Sequence, residues 1–200
     1  MALHLIRHGE TDDNARRVVQ LPDAPLSARG RAQAQRLAAR LRDARVARIL
    51  SSDYRRARET ADAVAAATGL PVELEPLLRE RHFGDVRGRA YAELGTDIFA
   101  PDYAPPGGET WDAFFARVAA AWTRVCALAA ATPGPLAVIT HGLVCWAIVG
   151  RHAELAPGMR LGMTWGNTSV TDLEGVPPRR VTLLDSTSHL DGLATGGGPV

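Results

Sequence analysis

The stretch Leu5-Ile6-Arg7-His8-Gly9-Glu10-Thr11 decides how the whole chain is interpreted. An apolar run over residues 2–6 is typical of a buried strand, and it delivers Arg7 and His8 to the carboxyl end of that strand. A guanidinium beside an imidazole disfavours protonation of the imidazole. His8 should therefore keep a free lone pair near neutral pH, as a nucleophile or a base requires. By position alone, His8 is equally consistent with a structural role in which it satisfies backbone groups.

Strand and helix patterns alternate along the rest of the chain. The predicted strands cover residues 46–50, 72–74, 136–139, 168–173 and 179–184, and the predicted helices run from Ala28 to about Arg42, from a cap at 51–53 to Thr68, over 110–131 and from Leu143 to Val149. The strand at 136–139 also leads into a histidine, His141. This alternation is typical of an α/β fold, a three-layer α/β/α sandwich with a mostly parallel central sheet, whose ligands bind beyond the carboxyl ends of the strands. We predict one domain over residues 1–185 and a flexible tail over residues 186–200.

Composition limits the classes of function. The 200 residues include 23 basic and 22 acidic side chains, a formal net charge of +1, so we expect no partner that is recognised by bulk charge, neither nucleic acid nor membrane. All the basic residues are arginine, which excludes lysine-dependent chemistry such as Schiff bases. Cys126 and Cys145 lie in apolar stretches without metal-ligand spacing, and no apolar run approaches membrane-spanning length. We therefore expect a cytoplasmic protein.

Several motifs follow one another in an order that is known from one family. They are Arg7-His8-Gly9-Glu10-Thr11, Pro25-Leu26-Ser27 with Gly30-Arg31 and Gln33-Ala34, Ser51–Ala57 with Thr60-Ala61, Glu80–Gly84, Pro106–Thr110 and Thr140-His141-Gly142. In these motifs the chain resembles the histidine phosphatase superfamily, the phosphoglycerate mutase-like proteins, from residue 3 to about residue 185. The resemblance implies a phosphoglycerate mutase-like fold. It also implies a hydrolase of the phosphatase branch that uses no metal or other cofactor and acts on a small-molecule phosphate ester.

The resemblance assigns the phosphate pocket to Arg7, His8, Arg56 and His141, with Asn14 on the loop after the signature. His8 would take the phosphoryl group as a nucleophile, and water would then hydrolyse the phosphohistidine. Two arginines and a cationic His141 would stabilise the negative charge that spreads over the equatorial oxygens.

Glu80 matches the residue that serves as general acid in much of this family. An acid must be protonated when the substrate binds, and burial near a phosphate dianion would raise the pKa of Glu80. The alternative is an ion pair with Arg79 or Arg81, which would keep Glu80 ionised. The remaining substrate-binding candidates are Thr11, Gln20, Gly142 and Arg87.

Arg87 marks a departure from the family pattern, because Val86-Arg87-Gly88 stands where Trp-Glu-Gly is common. If Arg87 faces the pocket, it would favour a substrate with a second anionic group; otherwise it is an exposed arginine. Arg55 and Arg58 flank Arg56 in the chain, and we expect both on a solvated helix face.

Three rival functions stand beside hydrolysis. A phosphoglycerate mutase would need extra basic segments to hold both ends of its substrate, whereas no arginine lies between Arg89 and Glu109. A non-catalytic phosphate-binding protein would not need a nucleophile and an acid together. A metal hydrolase or deaminase built on His8, Glu10 and His141 would need cysteines that the motif lacks. We therefore favour hydrolysis; the oligomeric state stays open, a homodimer included.

Overall fold

A single mixed sheet forms the centre of the computed structural model, which describes residues 2–193. Within these residues the seven strands are β1 Leu3–Arg7, β2 Arg48–Ser51, β3 Val72–Leu74, β4 Leu136–Thr140, β5 Ala153–Leu155, β6 Val170–Glu174 and β7 Arg179–Ser186. They lie in the order β3-β2-β4-β1-β6-β7-β5. Four of the six neighbouring pairs are parallel, and β6 runs antiparallel to β1 and β7. The predicted mostly parallel sheet is confirmed, and the last two predicted strands form an antiparallel pair, β6 with β7.

Helices cover both faces of the sheet. The α-helices in residues 2–193 are α1 Asp12–Arg16, α2 Ala28–Asp43, α3 Arg55–Thr68, α4 Trp111–Ala131 and α5 Gly142–His152, with 3-10 turns at Pro76–Leu78, Gly84–Val86, Tyr91–Glu93 and Ser188–Leu190. Successive strand residues point to opposite faces. Ile49 and Ile139 therefore pack with α2 and α3, whereas Leu50 and Val138 pack with α4 and α5. The three-layer α/β/α arrangement is the predicted one.

Helix α2 begins at Ala28 and α3 ends at Thr68, as predicted, but α3 begins later than its predicted cap implies. The Ser27 hydroxyl accepts an N–H from the first turn of α2, as a cap should, and α3 ends at Gly69 with φ 73°. The predicted cap of α3 is wrong, because Ser51 completes β2 and Tyr54 is the N-cap without a side-chain hydrogen bond. Ser52 is thereby left available for another contact, described below.

Two helices differ from the sequence-based expectation. The segment after the signature forms the short helix α1, in which Thr11 and Asn14 make a capping box, rather than a loop. Helix α4 is long and apolar enough to cross a membrane by length and composition, contrary to the expectation that no run approached that length. It lies against the sheet with Phe114, Val118 and Val125 fully buried, as expected for a core helix.

The end of the described chain packs against α2. In the 3-10 turn Ser188–Leu190, the ring of His189 lies 3.5 Å from Nη1 of Arg40 and 3.1 Å from Oγ1 of Thr168. The predicted flexible tail begins at residue 186, and its last part, residues 194–200, lies outside the described residues. The boundary at residue 185 remains a prediction.

Candidate active site

His8 and His141 lie together at the carboxyl ends of two adjacent parallel strands. In the register of β1 and β4, Arg7 is opposite Thr140, so the two histidines are the next residues on each strand. Their ring centroids are 5.1 Å apart, and the His8 N–H donates to the Thr140 carbonyl at 2.9 Å. The edge of the sheet at which ligands bind in α/β folds therefore carries both imidazoles.

The hydrogen bonds of the His8 ring fix which nitrogen carries its proton. Nδ1 lies 2.7 Å from the carbonyl oxygen of Gly9, which can only accept, so Nδ1 carries the proton. Nε2 accepts the Nε–H of Arg56 at 3.1 Å. Burial, together with Arg56 and Arg7, lowers the pKa of His8 well below its usual value. His8 is therefore a neutral imidazole whose lone pair on Nε2 points towards Arg56.

Arg7 and Arg56 are buried cations, each with 2% of its surface exposed. Arg7 donates to the carbonyl of Trp165, and Nη1 of Arg56 donates to the carbonyl of Leu21 at 3.0 Å. Burial lowers the pKa of Arg56 to about 10, which still leaves it charged at neutral pH. In the part of the chain that the structure describes, neither arginine forms an ion pair with a carboxylate. Two buried cations without a counter-ion favour the binding of an anion.

His141 is neutral in this cluster, contrary to the expectation of a cation. Burial, Arg56 and His8 lower the pKa of His141 well below its usual value. Its Nε2 lies 2.9 Å from the hydroxyl of Ser52, and its buried Nδ1 has no hydrogen-bond partner among residues 2–193. A phosphoryl dianion beside the ring would favour its protonated form.

Glu80 lies close to the arginines without an ion pair to either sequence neighbour. Its carboxylate oxygens accept the backbone N–H groups of Arg81, at 2.9 Å, and Leu143, at 3.3 Å. The alternative that the sequence left open is not observed, because Arg79 pairs with Asp53 and the guanidinium of Arg81 donates to backbone carbonyls. Burial raises the pKa of Glu80, although these N–H groups and the nearby arginines lower it.

Arg7, His8, Arg56 and Glu80 line a cavity of about 30 Å³, which we call the inner pocket, whereas His141 is not among the described residues of its wall. It is lined by Arg7, His8, Val19, Gln20, Tyr54, Arg56, Glu80, Arg81, Phe83, Arg87, Tyr91, Phe99 and Leu143. Of the residues expected to touch substrate, Gln20 and Arg87 belong to this wall. Within the described residues the wall does not include Thr11, Asn14 or Gly142.

Asn14 and Thr11 do not line the inner pocket but form hydrogen bonds with other residues of the site. The side-chain oxygen of Asn14 accepts the N–H of Thr11 and the Nδ2–H of Asn167, both at 3.3 Å, so its NH₂ group is left to donate. The Thr11 hydroxyl donates to the Gln20 side-chain oxygen at 2.8 Å, which leaves the Gln20 amide nitrogen for the pocket. Gly142 begins α5, directly before the N–H that Glu80 accepts.

Sequence reasoning missed several residues of the site, among them Tyr54, Phe83, Tyr91 and Asn167. Tyr54 and Phe83 lie inside recognised motifs, so their positions next to Arg56 and Glu80 were a usable signal. Asn167, which donates to the His8 carbonyl at 3.2 Å, and Tyr91 lie in segments without a readable pattern. Arg55 and Arg58 are exposed on α3, as expected.

Arg87 faces the pocket and is only partly exposed. Its Nη2 donates to the Tyr54 hydroxyl at 2.8 Å, and its Nη1 lies 3.0 Å from Nε2 of His82. A second anionic group on the substrate was expected if Arg87 faced the pocket, and this condition is met.

Among residues 2–193 no group of three His, Cys, Asp or Glu side chains is arranged to hold a metal ion.

Comparison with known proteins gives consistent matches over almost the whole chain. The family model of the histidine phosphatase superfamily (branch 1) matches residues 3–184. The chain is 32% identical over 170 residues to the probable phosphoglycerate mutase GpmB of Photorhabdus laumondii, covering 77% of this chain and 78% of that protein. It is 38% identical over 138 residues to phosphoglycerate mutase-like protein 4 of Arabidopsis thaliana, covering 60% of this chain and 58% of that protein.

Solved structures with the same fold include two phosphatases. The mycobacterial glucosyl-3-phosphoglycerate phosphatase in complex with VO3 aligns with a TM-score of 0.77 and 29% identity, covering 92% of this chain and 99% of that one. The alpha-ribazole phosphatase of Shigella flexneri aligns with a TM-score of 0.79 and 28% identity, covering 94% and 97%. The predicted fold is confirmed by these neighbours.

Proposed function

The chain belongs to the histidine phosphatase superfamily, and from this premise we propose that it is a phosphomonoester hydrolase acting through a phosphohistidine at His8. The substrate is a small phosphorylated metabolite, and the reaction uses neither metal nor organic cofactor. The observation that carries the proposal is the lone pair of His8 Nε2, which accepts from Arg56, in a site with two buried arginines, Arg7 and Arg56, that have no carboxylate partner in the described chain.

In the first half of the reaction, His8 Nε2 attacks phosphorus and a P–N bond forms. The bond from phosphorus to the substrate oxygen breaks, and its electron pair stays on that oxygen. Glu80 gives its proton to the leaving oxygen, so an alcohol departs. Arg7 and Arg56 donate to the equatorial oxygens as their negative charge redistributes.

In the second half, water attacks the phosphohistidine. Glu80, now a carboxylate, takes a proton from the water as the new P–O bond forms. The P–N electron pair returns to Nε2 of His8, and inorganic phosphate is released. Both proton transfers thus use one carboxyl group, which is left protonated as it began.

The mutase alternative has the support of relatives named as phosphoglycerate mutases. A mutase, however, must keep water away from its phosphoenzyme, and the family resemblance implies that it uses extra basic segments to do so. The residues between Arg89 and Glu109 that line the inner pocket are the aromatic Tyr91 and Phe99, not basic side chains. This wall favours hydrolysis over transfer.

Compartment and partners follow from the same proposal. We place the protein in the cytoplasm, where phosphorylated metabolites are found, with a small-molecule phosphate ester as its substrate. Binding to nucleic acid or membrane is not part of the proposal, and a homodimer is compatible with it.

The test compares phosphate release by the native protein and by His8→Ala, with p-nitrophenyl phosphate and metabolite phosphates in the presence of a chelator. We expect release, and an acid-labile phosphoenzyme, only in the native protein. His152→Ala is the matched control, because His152 stacks on Trp122 outside the inner pocket. A phosphoenzyme that transfers to phosphoglycerate without releasing phosphate would favour the mutase. No phosphoenzyme in either protein would favour a binding protein.

A further inference from the structure

The inner pocket is too small for a whole phosphate ester. Its volume of about 30 Å³ has room for about two water molecules, because about 10–15 Å³ of such volume holds one. A cavity of about 460 Å³, the outer pocket, shares Tyr54 and Glu80 with it. The outer pocket is also lined by Pro76, Leu77, Arg79, His82, Gly107, Gly108, Glu109 and Arg117. The alcohol that leaves next to Glu80 has space there.

A row of three side chains, Tyr54, Arg87 and His82, lies between the two pockets. Nδ1 of His82 accepts the backbone N–H of Gly84 at 3.0 Å. Burial and Arg87 lower the pKa of His82, so the ring is neutral and carries its one proton on Nε2. That nitrogen lies 3.0 Å from Nη1 of Arg87. Two N–H donors therefore face each other, which is a repulsive contact that an acceptor lying beside both nitrogens would relieve.

The charge of Arg87 is also not neutralised. The two arginines that line the outer pocket are paired, Arg79 with Asp53 and Arg117 with Glu109. Over the described residues, Arg87 has no carboxylate partner. An unpaired guanidinium at a partly exposed position attracts anions, and carboxylate and phosphate match its planar set of donors.

Tyr54 adds a third donor to this row. Its hydroxyl oxygen accepts from Arg87 at 2.8 Å, so the hydroxyl proton is left to donate. His82 lines the outer pocket, Arg87 lines the inner pocket and Tyr54 lines both, so the three donors lie where the two pockets meet. Anionic oxygens are the acceptors that satisfy all three.

The outer pocket also fits an anionic group better than the other cavity near the signature. That cavity, of about 340 Å³, is lined by three aspartates against two arginines, Arg16 and Arg55, and Arg55 is paired with Glu59, so its lining is net negative and disfavours an anion. The acidic residues of the outer pocket are Glu80, which would be protonated in the proposed reaction, and Glu109, which is paired with Arg117.

We propose that the outer pocket is the subsite for the alcohol part of the substrate, and that this part carries a carboxylate or a second phosphate bound by Arg87, His82 and Tyr54. The inference rests on the proposed function and names its substrate class, a doubly anionic phosphomonoester. When such a substrate binds, its second anionic group takes the place of the phenol oxygen as acceptor for Arg87 and relieves the donor contact with His82.

The test measures binding rather than turnover. The ligands are 3-phosphonopropionate, propylphosphonate and propylene bisphosphonate, which share a phosphonate that cannot be hydrolysed and differ at the other end. By titration calorimetry, we expect the native protein to bind a second-anion ligand at least about tenfold more tightly than propylphosphonate. Comparing 3-phosphonopropionate with propylene bisphosphonate shows whether the second anionic group that binds is a carboxylate or a phosphate.

Arg87→Gln should reduce this ratio to near one. Arg89→Gln is the matched control, since it removes an equal charge two residues away from an exposed side chain that donates to the Glu93 carbonyl. If Arg87→Gln does not fold, Tyr54→Phe carries the test, with the ratio lowered roughly threefold.

A native ratio near one, or a ratio that survives Arg87→Gln, would overturn the subsite even if His8 forms a phosphoenzyme. A ratio that falls equally with Arg89→Gln would reduce the effect to general electrostatics and overturn it too. Selective binding without any phosphoenzyme would leave the subsite supported and the proposed hydrolysis refuted.

Discussion

Replacing Glu80 by Gln should slow the first half of the reaction in proportion to how much the leaving group needs a proton. The amide cannot protonate an alkoxide, and general acid catalysis contributes about 10²- to 10⁴-fold. We therefore expect phosphoenzyme formation from an alkyl phosphate to fall by that factor. p-Nitrophenolate is stable without a proton, so the same step with its ester should lose far less.

The structure gives the size of that smaller loss. Both oxygens of Glu80 accept backbone N–H groups, and Gln has only one oxygen. Its oxygen would keep the shorter bond to Arg81, and its NH₂ would face the N–H of Leu143, which costs about 1–3 kcal/mol for one unsatisfied group. If that cost disturbs the substrate complex, it lowers the rate by roughly 5- to 160-fold, equally for both esters. The ratio of the two losses therefore isolates the proton transfer.

The assay is the burst of alcohol or nitrophenol released in the first turnover, because the later step uses Glu80 again as a base. Glu154→Gln serves as the control, since Glu154 is exposed on the edge strand β5. Equal losses on both esters would refute the general-acid role and leave Glu80 as a structural acceptor of two N–H groups.

Three further predictions concern protonation and positioning. Burial raises the pKa of Glu80 and lowers that of His8, so kcat/KM falls as the pH rises through the Glu80 value, and a rate still climbing above about pH 9 would contradict this. The pKa values of His8 and His141 are lowered in the folded protein, so below about pH 6.5 the unfolded chain takes up protons that the folded protein does not. The stability that the two neutral rings contribute is therefore complete above about pH 6.5 and is lost as the pH falls towards the folded-state pKa values. Melting curves should show Tm falling below about pH 6.5, and falling less in His141→Asn. Asn167→Ala removes the side-chain donor to the His8 carbonyl and should lower the burst rate about tenfold with an unchanged pH profile, whereas a change in KM alone would argue against positioning.

The strand-end histidines could be predicted because their placement depends on local pattern. An apolar run of four or five residues that ends in polar residues predicts both the strand and its end, and parallel pairing then brings two such ends together. The charge of the His141 ring could not be predicted from local sequence pattern. Its neutrality follows from burial beside Arg56 and His8, and burial is a property of the completed fold.

The row of side chains between the inner and outer pockets could not be predicted from the sequence either, for a different reason. Arg87 reaches Tyr54 across 33 positions of the chain, and a flexible arginine side chain reaches many alternative positions from one backbone site. The sequence left open whether Arg87 faces the pocket and did not assign Tyr54 to it, so their contact could not be inferred. The short helix α1 was missed because five residues are too few for a helical periodicity to be recognised.

The hydrogen bond from His8 Nδ1 to the carbonyl of its own neighbour Gly9 also determines regiochemistry. Imidazole has two nitrogens that can be phosphorylated, and free histidine offers both. Here Nδ1 is occupied by its hydrogen bond to the carbonyl of the next residue in the chain, so this bond does not depend on a distant loop. The phosphorylated protein is therefore expected as a single isomer, carrying phosphorus on Nε2, and reagents that distinguish the two phosphohistidine isomers would recognise only that one.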